Sequence, residues 1–70
     1  MQYLVIIEQS EHGYRAYAPD LPDCVALADT EAEVLHLIHE SIHLHLEMMR
    51  EEGVPNPDPT ARSAYVDVRS

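Results

Sequence analysis

Apolar and polar residues alternate with different periods along this chain, and the period predicts the elements. Tyr3-Leu4-Val5-Ile6-Ile7-Glu8 is rich in β-branched residues, with Tyr3, Val5 and Ile7 on one face and Leu4 and Ile6 on the other. A run this short and apolar on both faces predicts a strand covered on both sides, in the interior of a sheet. Gln9 to Gly13 predicts a hairpin turn, with Gly13 free to take a positive φ. Tyr14 to Ala18 predicts a second strand, with Tyr14, Ala16 and Ala18 opposite Arg15 and Tyr17. Pro19-Asp20-Leu21-Pro22-Asp23 predicts an extended, then turning, connector, because two prolines restrict its backbone. Cys24 to Ala28 predicts the third strand.

From Asp29 to Gly53 the period changes to that of a helix. Thr30-Glu31-Ala32-Glu33 carries the start signal: Thr30 caps the N–H three residues on, and Glu33 can reach back to the N–H of Thr30. Asp29, Glu31 and Glu33 place negative charge at the positive end of the helix dipole. Gly53 supplies the left-handed residue that closes a helix, and Pro55 forbids continuation. At about 100° per residue, Val34, Leu35, Leu37, Ile38, Ile42, Leu44, Leu46, Met48 and Met49 fall on one arc, around Ser41 and His45. The opposite arc carries Glu33, His36, His39, Glu40, His43, Glu47, Arg50 and Glu51. The apolar arc exceeds half the circumference, whereas a helix on one small sheet needs a stripe of only about 100°. The surplus predicts a second contact surface, most simply another subunit, with Leu35, Ile38, Ile42, His45 and Met49 as its core and interface residues. The His45 ring is expected to be partly buried, bonding a backbone carbonyl or an acceptor across the subunit boundary.

Val54 to Thr60 holds three alternating prolines and predicts a stiff exposed connector. Ala64-Tyr65-Val66-Asp67-Val68 alternates cleanly and predicts a fourth strand. The expected architecture is α+β, in the order β-β-β-α-β. Its four-stranded sheet has spatial order 3-2-1-4, with one long helix crossing over it right-handedly.

Composition narrows the function. Seventy residues make one domain with a small core, and the single cysteine, Cys24, excludes a disulfide staple. Oligomerisation is the ordinary remaining source of stability. Thirteen acidic residues stand against four arginines and no lysine, a formal charge of −9. Such a chain repels phosphate, which argues against direct nucleic-acid binding and suits a basic partner. No apolar run is long enough to span a membrane, the first residues lack the basic start of a signal peptide, and a lone cysteine fits the cytoplasm.

Candidate chemistry is sparse. His36, His39 and His43 lie close together around the helix axis beside Glu40 and Glu47, and His39 with His43 has the i, i+4 spacing of a zinc-binding pair. An exposed helix face rarely closes a four-coordinate site, so a solvated polar face is the plainer reading. Asp20, Asp23 and Glu8 could in principle hold magnesium for phosphodiester hydrolysis. Their spacing does not bring them together, and loop-shaping bonds from the aspartates suit the sequence better. Cys24 reads as a small buried hydrophobe. No cofactor motif is present.

Four stretches, taken in order, resemble the HicB-type antitoxin family. They are Tyr14-Arg15-Ala16-Tyr17-Ala18-Pro19-Asp20-Leu21-Pro22-Asp23-Cys24, Asp29-Thr30-Glu31-Ala32-Glu33, Ile42-His43-Leu44-His45-Leu46 and Glu52-Gly53-Val54-Pro55-Asn56-Pro57. The resemblance implies a partial ribonuclease-H-like fold without the active-site carboxylates, and a non-enzymatic protein. It also implies dimers or tetramers, and pairing with a small basic HicA-type toxin that cleaves messenger RNA. Two departures stand out: Asp23 occupies a position where the family often has glycine, and a single domain over residues 1–70 leaves out the DNA-binding domain usual in the family. Glu40 and Glu47 on the polar helix face, and the connector from Val54 to Thr60, are the expected docking surfaces. The alternatives are an oligomeric module binding a ligand or metal through its histidine face, and a minimal metal-dependent nuclease.

Overall fold

A computed structural model describes residues 1–69. Strands β1 (Ile6–Ser10), β2 (Gly13–Ala18) and β3 (Leu21–Ala28) precede one helix, α1 (Glu31–Glu51). The strands form an antiparallel sheet in the order β1-β2-β3. Helix α1 packs mainly on β3 and to a lesser extent on β2, so the β1 side of the sheet is largely uncovered. With one helix on one sheet, the molecule measures only 16 Å in its thinnest direction.

The local signals of the sequence form in large part, although the turn expected over Gln9 to Gly13 narrows to Glu11 and His12. Thr30 is extended, at φ −127° and ψ 157°, and its Oγ1 accepts from the Glu33 N–H at 3.1 Å, the first of the two capping bonds. At the other end Gly53 takes φ +75°. The Gly53 N–H donates to Arg50 O at 3.1 Å and the Val54 N–H to Met49 O at 2.8 Å. This crossed pair satisfies the last carbonyls of the helix. The first hairpin turns on Glu11 and His12, with Ser10 opposite Gly13.

The core is formed by Ala16, Ala18, Leu21, Cys24, Ala26, Val34 and Ile38. Four of its seven members are small, and their size lets the helix lie close to the sheet. Along α1 the covered stripe runs through Val34, Ile38, Ile42 and Leu46, spaced by four residues as a packed ridge requires. His45 and Met49 are half-buried at its border. Leu35, Leu37, Leu44 and Met48 are exposed, so the surplus of the apolar arc is unpaired within one chain.

Three expectations are corrected. Residues 64–68 do not form a fourth strand; the sheet among the described residues has three strands, in the expected order 3-2-1 but without strand 4 beside β1. Thr60 and Ala61 are pinned to the loop between β2 and β3, and residues 64–69 stay exposed instead of turning back onto the sheet. The first strand is consequently an edge strand, and it begins at Ile6 rather than Tyr3. The two apolar faces of Tyr3 to Ile7 predict an interior strand covered on both sides, and the chain does not provide that cover. Finally, Leu21-Pro22-Asp23 belongs to β3 instead of ending a turn. The pairing passes from Tyr17↔Val25 to Ala18↔Leu21, an irregularity that lets Pro22, which has no N–H, sit in an edge strand.

Candidate functional site

The polar face of α1 is built by the helical period and stays in solvent. His36 Nε2 lies 3.3 Å from Glu40 Oε1, and His43 Nε2 lies 3.2 Å from Glu47 Oε1. Both are i, i+4 pairs on an exposed surface, worth a few tenths of a kcal/mol each at most. The structure therefore brings His36 and His43 to glutamates, with His39 exposed between them. Among the described residues no three His, Cys, Asp or Glu side chains are gathered for a metal ion.

The carboxylates proposed for hydrolysis are dispersed into other contacts. Glu8 Oε1 accepts from Arg15 Nη1 at 2.8 Å, and the same guanidinium sits 4.7 Å from the centre of the Tyr17 ring. Asp23 is exposed on β3. Asp20 holds the C-terminal segment: its Oδ2 accepts from the Thr60 N–H at 3.0 Å and the Ala61 N–H at 2.9 Å, and its Oδ1 accepts from Thr60 Oγ1 at 3.0 Å. The loop-shaping role read from the sequence is thus real for Asp20, but it shapes a segment forty residues away. The Tyr3 hydroxyl donates to Pro57 O and adds a second tie to the connector.

The Ala61 N–H is the largest influence and holds the Asp20 carboxyl below its ordinary value of 3.8; burial opposes it, and the two Thr60 donors add to the lowering. A lowered value means that the ionised form makes the attachment. The tie is complete above the ordinary value and is lost as pH falls through the lowered one. We expect the Thr60 and Ala61 amides to stay protected from exchange at neutral and mildly acidic pH and to lose protection below the ordinary carboxylate range. Asp20→Asn should remove that protection at all pH values while the amides of α1 stay protected, as followed by NMR. Retained protection in Asp20→Asn would show that the segment is held by something else.

Cys24 is buried, and burial pushes its thiol up; the weak Sγ donor approaches Ser41 O at 3.9 Å. A protonated, enclosed thiol is a packing group and not a nucleophile.

Two surfaces escaped the sequence reading. The outer face of the sheet carries the larger side chains: Ile6, Tyr17 and Val25 form one cross-strand row, and Glu8, Arg15 and Leu27 the next. Val25 is 45% exposed and Leu27 69%. The signal lay in the alternation of side-chain size, since inward positions hold Ala16, Cys24 and Ala26 while outward ones hold Tyr17, Val25 and Leu27. The second surface is an apolar groove of about 840 Å³ between residues 1–5, one flank of α1 and Ala61 to Ser63. It exists because the helix sits over β3 and β2 and not over β1.

These features define a small acidic α+β module with one polar helix face and apolar surface left open on the sheet side. The sequence model of the HicB-like antitoxins of bacterial toxin–antitoxin systems matches residues 3–69. The chain belongs to that family. It is 31% identical over 67 residues to an uncharacterised 14.9 kDa protein of the rep–hol intergenic region of Haemophilus phage HP1, across 96% of this chain and 50% of the phage protein. It is 36% identical over 56 residues to a UPF0150 protein of Synechocystis, across 79% of this chain and 71% of that protein. The chain thus spans half the length of the phage relative. Among the described residues no helix is long and apolar enough to cross a membrane.

Proposed function

We propose that this chain is an antitoxin that neutralises a small basic HicA-type messenger-RNA-cleaving toxin by forming a complex with it, and that it has no catalytic activity of its own. The observation that carries the reading is the family match over residues 3–69, on a chain of charge −9 with no lysine. Such a charge attracts a cationic ribonuclease and repels the ribonuclease's own substrate. The docking surface we favour is the polar face of α1, where Glu40 and Glu47 are exposed and their pairing to His36 and His43 is weak enough to exchange for a partner's arginine or lysine. A homo-oligomer, dimer or tetramer, completes the reading, since Leu35, Leu37, Leu44 and Met48 remain exposed in the single chain. We read the three-stranded sheet and its helix as part of a ribonuclease-H-like fold.

The nuclease and metal-binding alternatives find less support. Asp20, Glu8 and Asp23 are separated, and the first two are engaged in other contacts. The test is co-expression with a HicA-type toxin taken from the adjacent reading frame. We expect growth to be restored, and Glu40→Lys with Glu47→Lys to weaken the rescue by reversing charge at the contact. Growth arrest that persists at high antitoxin expression would remove the reading.

A further inference from the structure

Strand β1 has one bonded edge and one open edge, since it pairs only with β2 among the described residues. An open edge is a row of unpaired N–H and C=O groups, ready to accept another strand. Where the chain leads into that strand, along residues 1–5, lies the apolar groove, walled by Leu35, Ile38, Ile42 and Leu46 of α1 and by Tyr3 and Val5. Groove and edge together are a socket for an extended segment with one apolar face.

The chain itself carries such a segment. In Ala64-Tyr65-Val66-Asp67-Val68 the side chains alternate, with Ala64, Val66 and Val68 on one side and Tyr65 and Asp67 on the other. It contains neither proline nor glycine, and it is bare: Tyr65 is 104% exposed, Val66 78% and Val68 83%. Laid along residues 1–5 and the start of the open edge, its apolar set would face the groove and its polar set the opposite side. In its own chain the segment does not fill the groove. Ala61 to Ser63 form the groove's rim, Asp20 pins Thr60 and Ala61, and the residues that follow stay in solvent.

We propose that two copies of this chain assemble by exchange of residues 64–68, each segment adding as a strand to the open edge of the other copy's β1 with Ala64, Val66 and Val68 over the groove. A two-fold exchange closes both edges at once and covers both grooves with the same contact, the self-complementary form in which identical chains pair. The inference builds on the self-association proposed above and is independent of the toxin. Its salt dependence is also opposite. Two chains of charge −9 repel each other, so screening strengthens the dimer, whereas binding to a cationic toxin weakens as salt rises.

The experiment combines light scattering with amide exchange on the full chain and on two variants. Val66→Pro removes a strand N–H, and Val66→Glu keeps the backbone but charges the groove side. Both lie in a segment that touches no core residue, so the helical circular dichroism serves as the folding control. We expect the parent chain to have the mass of two copies at high concentration, more completely at high salt, with residues 64–68 protected from exchange. Each variant should halve the mass and abolish that protection while its helix signal persists. A parent monomer with residues 64–68 protected would place the strand on its own β1 and overturn the exchange. A parent dimer with these residues unprotected, or one that survives Val66→Pro, would assign assembly to another face and overturn the exchange while leaving self-association intact. A parent monomer with unprotected residues would remove both.

Discussion

Ile38→Asp should leave the chain unfolded at room temperature, as read by loss of the helical circular dichroism signal. Ile38 is 1% exposed and touches the small inward residues of the sheet, so an aspartate there has no water and no cationic partner. An uncompensated buried charge costs about 3–5 kcal/mol, before the lost apolar contact is added. Native domains hold about 5–15 kcal/mol in total, and one with a core of seven residues, four of them small, belongs at the low end. Ile42→Asp, at a half-buried position on the groove side, should cost less and act first on assembly. Leu44→Asp is the control, because Leu44 is 60% exposed and its change should stay within about 0.5 kcal/mol in the single chain. A cooperative melt of Ile38→Asp near that of the parent would mean that the helix packs on the sheet by a different face.

The second large effect is expected at Gly13. Its φ is +128°, and a Cβ placed there would lie 2.5 Å from the carbonyl oxygen of Ala28. The obstacle is backbone at the end of β3, which cannot swing aside as a side chain could. Backbone strain alone costs about 1–3 kcal/mol, and the clash forces the hairpin away from β3 in addition. Each kcal/mol lowers the melting temperature by roughly 4–8 °C in a domain of this size. Gly53→Ala isolates the strain, since Gly53 has φ +75° but nothing within 4 Å of the added carbon. It should cost only about 1–2 kcal/mol, the ordinary left-handed penalty. Equal melting temperatures for the two variants would contradict the close approach of Gly13 to β3.

What could be read from the sequence divides along physical lines. Thr30, Gly53 and Gly13 act through bonds and torsions within a few residues of themselves, so their residue types alone marked both ends of the helix and the hairpin. The α+β composition, the long helix and the buried role of Cys24 were legible for the same reason. Pairing between strands is not local. The alternation of residues 64–68 and the two apolar faces of Tyr3 to Ile7 showed that both want cover, but not that a single chain leaves them apart. Asp20 shows the limit from the polar side: an aspartate between two prolines signals a turn, while its donors, Thr60 and Ala61, are set by the path of the whole chain. The outer sheet face was missed because period alone was read. Side-chain size, small inward at Ala16 and Ala26 and large outward at Tyr17 and Leu27, carried the information.

The antitoxin reading stands or falls on one measurement: RNA cleavage by a purified HicA-type toxin from the adjacent reading frame, titrated with this chain at low and at physiological salt. The account predicts that cleavage falls to background once the chain is in stoichiometric excess. It also predicts that the association rate drops clearly as the screening length shortens to about 8 Å at physiological ionic strength. Undiminished cleavage at saturating chain and low salt, with the toxin shown to be folded and active, would contradict it.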